Sequence, residues 1–303
     1  MNIGRQFTER YVKMMFASLR NGDDDQIQAE IEHCQRENQR PVRISHKFKK
    51  QFEESTYHGD GYEMQVFSTT KHPDARRLII YYHGGAFIYQ PVFFHWRFIN
   101  DIAIRLHCRV VMPIYPKIPD YRCEFSNTQL LHFYRDCIQK QDVDEIILMG
   151  DSAGGNLALL QAQLIRENGY RKPDKLFLLS PCLDLSYANE ADMRAREPFD
   201  PMLKTDRVKT LTDIWRQGLP ATHHWASPVF GDLNGLGHIT IFVGTHEILH
   251  TDSAMLRDKL IANNIDFNFY EYEGMFHTFP LFPVPEGFHA IRRMVKEIEP
   301  KKK

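Results

Sequence analysis

"DEIILMGDSAGGNLALL", residues 144–160, joins an aliphatic run to a glycine-flanked serine and then to a run with helical spacing. The first part reads as a strand ending at Gly150, and the last as a helix that starts near Ala153. Ser152 stands at the corner between them, inside the G-x-S-x-G sequence Gly150-Asp151-Ser152-Ala153-Gly154. A strand that turns at once into a helix forces its corner residue into a strained conformation, and small neighbours are needed for the serine oxygen to stand clear of backbone. The helix that begins there aims free N–H groups and a positive dipole end at the same spot. Two glycines and a serine at such offsets arise by accident on the order of 0.1 times in a chain of this length. The strand-turn-helix context therefore carries the reading.

Outward from this corner, β-branched and aromatic runs alternate with helical stretches from about residue 62. The strands read as "YEMQVFST", "RLIIYYH", "CRVVMPIY", "DEIILMG", "KLFLLSP", "HITIFVG" and "FNFYEYEG". Helices read as "FHWRFINDIAIRLH", "SNTQLLHFYRDCIQKQ", "AGGNLALLQAQLIRENG", "TDSAMLRDKLIANN" and "FHAIRRMVKEIE". This is an α/β pattern, a mostly parallel central sheet flanked by helices. Two segments interrupt it. Residues 1–45 carry two amphipathic helix patterns, one on Phe7, Tyr11, Met15 and Leu19, the other after the capping run Asp23 to Asp25. Residues 182–237 separate two strands by far more than a crossover requires, and insertions of that size are often lids over a site. The division expected is an N-terminal helical cap segment, 1–45, and a catalytic domain, 46–303, with a cap insertion at about 186–223.

Hydrolysis through a serine needs donors for the oxygen that turns negative in the tetrahedral intermediate. In "YYHGGAFIYQ", residues 81–90, Gly84 and Gly85 follow a strand and can turn backbone N–H groups inward, to join that of Ala153. The base should lie beyond the last strand, where His277 follows "FNFYEYEG". The acid should follow the strand before it, where Glu247 and Asp252 both stand; Asp252 also suits a helix cap. Glu247 lies within "HEILH", residues 246–250, which matches the zinc-protease pattern H-E-x-x-H. That motif needs both histidines one turn apart inside a helix, whereas this one starts two residues beyond a strand, so no metal is expected.

The chain resembles the α/β-hydrolases of the hormone-sensitive-lipase-like group, whose H-G-G-G and G-D-S-A-G-G motifs match His83-Gly84-Gly85-Ala86 and Gly150 to Gly155. "SPCLDLS" at 180–186, "WASPVFGDLNGL" and "GMFHTF" at 274–279 extend the likeness over about residues 62–298. It implies an α/β-hydrolase fold, a Ser152–Glu247–His277 triad without cofactor, and hydrolysis of short-chain carboxylic esters through an acyl-enzyme. It also places Glu247, where most members have aspartate, at the acid position. Two further departures stand out: Ala86 replaces the last motif glycine, and "IYPKIPDYR" replaces the family's Y-R-L-A-P-E. The same machinery serves amidases and lactonases, and some members that have lost a catalytic residue act as small-molecule receptors. Phe199, Met202, Trp215, Phe87 and Tyr89 suit either an acyl pocket or ordinary core. Pairing of two copies through "FNFYEYEG" is a further family habit.

Composition limits the partners. A formal charge of −1 over 303 residues gives no electrostatic case for nucleic acid or an anionic membrane. Hydrophobic residues at 43% and charged residues at 25% fit a globular protein, and no apolar run approaches a membrane span or a signal peptide. The five cysteines are widely spaced with no C-x-x-C, as reduced thiols of a cytoplasmic protein would be. A small-molecule ester remains as the expected partner.

Overall fold

Strands whose residues are aliphatic on both faces need cover on both sides. The computed structural model describes residues 12–14, 24–139 and 142–299. Its strands are β1 (Phe52–His58), β2 (Glu63–Thr69), β3 (Arg77–Tyr82), β4 (Arg109–Pro113), β5 (Glu145–Asp151), β6 (Lys175–Leu179), β7 (His238–Gly244) and β8 (Phe267–Tyr272). They form one sheet in the order β1-β2-β4-β3-β5-β6-β7-β8. β1, β2 and β4 pair antiparallel, and every pairing from β4 to β8 is parallel. Helices α1 (Asp24–Asn38), α2 (Phe93–Leu106), α3 (Cys123–Gln139), α4 (Ala153–Glu167), α5 (Glu190–Arg196), α6 (Thr205–Trp215), α7 (His250–Ala262) and α8 (Pro285–Ile298) lie between and around the strands. The fold class is the one expected.

Seven strands fall where the apolar runs place them, but β1 lies outside the alternation read from residue 62. Its sequence, FEESTYH, is exposed over most of its length, so it carries no apolar period. A charged, solvated edge strand of this kind discourages further pairing. α3 starts at Cys123 rather than Ser126, and α8 at Pro285, where a proline needs no N–H partner in the first turn. The pattern on Phe7, Tyr11, Met15 and Leu19 lies outside the described residues; the second gives α1, from Asp24.

The core runs through β3, β5, β6 and β7, whose side chains are almost all buried. α4 crosses this layer closely. A side-chain carbon on Gly154 would lie 1.9 Å from the Tyr82 carbonyl oxygen, and one on Gly150 would lie 2.1 Å from that of Gly154. Both clashes are with backbone, so the first turn of α4 seats on the ends of β3 and β5 only because these positions carry no Cβ. Asn156, buried in the same helix, donates to the carbonyls of Cys182 and Ala226 and so ties both ends of the long β6–β7 connection to it. Gly154→Ala is expected to cost about 3 kcal/mol or more of stability. Urea denaturation would read this as a lower midpoint at unchanged slope.

Candidate active site

Ser152 joins β5 to α4 with φ 53° and ψ −120°, a conformation that costs a side-chain-bearing residue about 1–3 kcal/mol. Local hydrogen bonds hold it there: its N–H donates to the Leu179 carbonyl at 2.9 Å, and its carbonyl accepts from Gly155 at 2.9 Å and Cys182 at 3.1 Å. The hydroxyl lies 2.9 Å from His277 Nε2. His277 Nδ1 in turn meets Glu247 Oε2 at 2.6 Å. The other oxygen of Glu247 accepts from Ser180 Oγ at 2.8 Å and from the Gly244 N–H at 2.7 Å, so this fully buried carboxylate has partners on both oxygens. Burial alone would pull the His277 imidazole down. The hydrogen bond and charge of Glu247, with the fields of Asp200 and Asp151, outweigh it and raise His277 above its ordinary value.

The loops that bring these groups together are fixed by close backbone contact. A Cβ on Gly244 would lie 2.1 Å from the Met275 carbonyl oxygen, so the β7 and β8 loops meet there without an intervening side chain. Ser180, itself at φ 47°, accepts the Thr278 N–H at 3.0 Å while donating to Glu247. It links the acid and the histidine loops, a role its place at the head of "SPCLDLS" could have suggested.

Asp252 lies elsewhere. Its carboxylate accepts the N–H groups of Leu183 at 2.6 Å and Asp184 at 3.0 Å, and hydrogen-bonds to Thr251. It neither faces His277 nor caps its own helix, because α7 begins earlier, at His250. It holds the turn after β6. Burial pushes its carboxyl up to about 7.

The glycine loop also differs from expectation. The Gly84 N–H is already engaged, donating to Asp151 Oδ1 at 2.8 Å. A side chain on Gly84 would lie 2.3 Å from the other Asp151 oxygen, so this glycine exists to let the carboxylate approach. Asp151 also accepts from Tyr81 at 2.5 Å and meets His95 Nε2 at 3.3 Å. Burial alone would raise Asp151, but His95 and these hydrogen bonds hold it below its usual range. The N–H groups of Gly85, at φ 121°, and Ala86, at φ 49°, have no acceptor among the described residues. Ala153, first in α4, has no intrahelical acceptor either. All three residues line one cavity with Ser152 and His277. Ala86 is thus an addition to the candidate donors, and Gly84 a subtraction from them.

That cavity has a volume of about 440 Å³. Phe87, Met202, Leu203, Val208 and Leu249 contribute apolar wall, and α1 adds Glu30, His33 and Cys34. Tyr89 also lines it. Trp215 instead backs the wall, fully buried and stacked on Phe87 at 4.3 Å, while Phe199 is 59% exposed against His246. Glu30 joins α1 to two other segments: it pairs with Arg207 of α6 at 2.6 Å and accepts from Tyr89 at 2.5 Å. Asp200, between α5 and α6, accepts the Ile248 N–H at 3.0 Å, beside Glu247. The two histidines of "HEILH" do not converge: α7 starts only at His250, which pairs with Glu271, while His246 packs on Phe199.

A profile of the alpha/beta hydrolase fold family matches residues 79–281, from β3 to just past His277. The chain belongs to that family. Over 225 residues it is 31% identical to an esterase of Acinetobacter venetianus, covering 72% of this chain and 73% of the relative. It is 28% identical to an acetyl-hydrolase of Streptomyces hygroscopicus, over 71% of this chain and 73% of that one. The crystal structure of a candidate esterase from Staphylococcus aureus superposes with a TM-score of 0.86 and 28% identity, covering 94% of this chain and 96% of that one. The α/β-hydrolase fold and the likeness to esterases expected from the glycine motifs are borne out by these matches.

Because the folded-state carboxyl of Asp252 stands near pH 7 and the unfolded one near 3.8, the folded chain holds an extra proton between them. Its contribution is therefore lost as pH rises from about 4 through 7. Asp252→Asn should gain stability relative to the parent over that interval, by about 4 kcal/mol at most. Denaturation midpoints at pH 5 and pH 8 measure it, and equal differences at both would contradict the assignment.

Proposed function

We propose that this protein is a serine carboxylesterase that cleaves short-chain acyl esters through an acyl-enzyme intermediate. That it is a carboxylic ester hydrolase follows from its family and its esterase and acetyl-hydrolase relatives. The observation that carries the finer reading is the unbroken contact from Ser152 Oγ to His277 to the buried Glu247 carboxylate.

In this reading His277 takes the Ser152 proton as the hydroxyl attacks the acyl carbonyl. Glu247 holds the imidazole in the tautomer that presents Nε2 to the serine and stabilises the imidazolium. The unpaired N–H groups of Gly85, Ala86 and Ala153 receive the oxyanion. The proton returns to the leaving alcohol, and water releases the acyl group by the same route. None of these steps calls on a metal or organic cofactor.

The apolar cavity walls and a volume of about 440 Å³ support a short acyl chain, within the size range of small-molecule pockets. Residues 1–45 and the insertion at about 186–223 act as a cap, a reading supported by the Glu30–Arg207–Tyr89 cluster. The buried thiols of Cys34, Cys108, Cys123 and Cys182, none of them in a disulfide, favour a cytoplasmic location. Among the described residues no helix is long and apolar enough to cross a membrane. β8 is an edge strand and offers a face through which two copies pair.

Nitrophenyl esters from acetate to palmitate test the proposal. Ser152→Ala should lower kcat by about 10⁴-fold or more, and turnover should fall beyond medium chain lengths. Glu247→Gln should cost less, and Asp252→Asn little. Since the base must be neutral and His277 stands above its ordinary value, the acid limb of kcat/KM should lie above pH 6.5. Full activity in the Ser152→Ala protein would sink the mechanism.

A further inference from the structure

Lys117 takes no part in the hydrolytic arrangement. It lies in "IYPKIPDYR", where the chain leaves its family's pattern, and it is only 4% exposed. Its ammonium donates to the Tyr115 carbonyl at 3.0 Å and stands 4.6 Å from the centre of the Tyr115 ring. An ammonium has three donors, and among the described residues no other acceptor or carboxylate takes the remaining two. Burial of an unpaired charge is costly, and it brings Lys117 down to about 7.

The same amine lines a cavity of about 240 Å³, walled by Tyr62, Tyr115, Tyr121, Gln39 and Gln90. This cavity shares Asn38 and Gln90 with the larger one but reaches neither Ser152 nor His277. Gln90 Oε1 and Asn38 Oδ1 are buried without a partner. The place therefore combines unspent donors on a cation, two unspent amide acceptors and aromatic walls. Fully satisfied buried polar groups are the rule, so a cluster of this kind points to an occupant.

We propose that this cavity is a second small-molecule site, which takes a monocarboxylate with its carboxylate on the Lys117 ammonium and its organic part among Tyr62, Tyr115 and Tyr121. A hydroxyl on that organic part would meet the free oxygen of Gln90. One cation supports one negative charge. Asp120, exposed at the rim and engaged by Gln35 and Gln39, disfavours a second, which argues against phosphate or a dicarboxylate. The proposal goes beyond ester hydrolysis and does not depend on it.

The groups that face the amine are Tyr115 beside it, Tyr62 ahead of β2, Asp120 and Tyr121 ahead of α3, and His83 at the end of β3. Burial, with added repulsion from Lys117 and His95, holds His83 well below its ordinary value, while burial pushes Tyr62 up to about 12 and Tyr115 well up. The anion pairs with the protonated amine, so affinity should fall by about tenfold per pH unit above 7 until the bound-state value is passed.

Calorimetric titration of the full chain with sodium acetate, alongside inorganic phosphate, tests this. Acetate should bind saturably near one per chain at pH 6, more tightly than phosphate, and at least about tenfold more weakly after Lys117→Met. Unchanged affinity in Lys117→Met, or no saturable binding at pH 6, would overturn the site. Preferential binding of phosphate would overturn the carboxylate assignment. Should Lys117→Met not fold, NMR of isotope-labelled lysine in the parent protein decides instead. Saturating acetate should raise the Lys117 pKa, and an unmoved value would refute the pairing.

Discussion

The architecture depends on one steric constraint: backbone must touch backbone where β3, β5 and α4 meet. Gly150 and Gly154 allow contacts that would otherwise place a side-chain carbon about 2 Å from a carbonyl oxygen. Only with α4 seated this low does Ser152 stand at a strained corner, with unused N–H groups of the helix beside it. The same economy recurs at Gly84 against Asp151 and at Gly244 against Met275. Each of these glycines permits a loop to approach what it serves, and none needs to be flexible to do so.

Buried carboxylates then fix the loops that the glycines let together. Glu247 orients His277; Asp151 gathers Gly84, Tyr81 and His95; Asp252 ties down the turn after β6; Asp200 joins the insertion to the acid loop. Each sits among hydrogen-bond donors, as a buried charge must. For the three aspartates the balance of burial against these donors differs. Two donors and His95 keep Asp151 low, whereas burial dominates at Asp252 and Asp200 and raises both. Three aspartates thus face opposite balances within one end of one sheet.

Strand ends were legible because parallel, doubly covered strands announce themselves as apolar runs, and chain order marks the places of Ser152 and His277, while only the family resemblance set Glu247 apart from Asp252. The edge strand β1 was not, since solvated residues carry no such signal. Gly84 misled for a different reason. Its N–H is taken by a residue 67 positions away, inside the serine motif, and such a hydrogen bond leaves no local trace in a sequence. Ser180 and Asp200 escaped notice likewise, as their partners come from other strands' loops. Aromatic character alone could not separate Tyr89, on the cavity wall, from Trp215 behind it.

The register of the sheet has a consequence for biosynthesis. Tyr82 pairs with Gly150, Leu179 with Phe242 and Gly244 with Tyr272, so the chain segments that bear the glycine loop, the serine, the carboxylate and the histidine are spread over almost two hundred residues. Parallel pairings of such separation form late, because loop-closure entropy is spent before their contacts repay it. A nascent chain that has emerged only as far as α4 already carries Ser152 but neither Glu247 nor His277. The contact that runs from Ser152 through His277 to Glu247 therefore arrives together with the finished sheet.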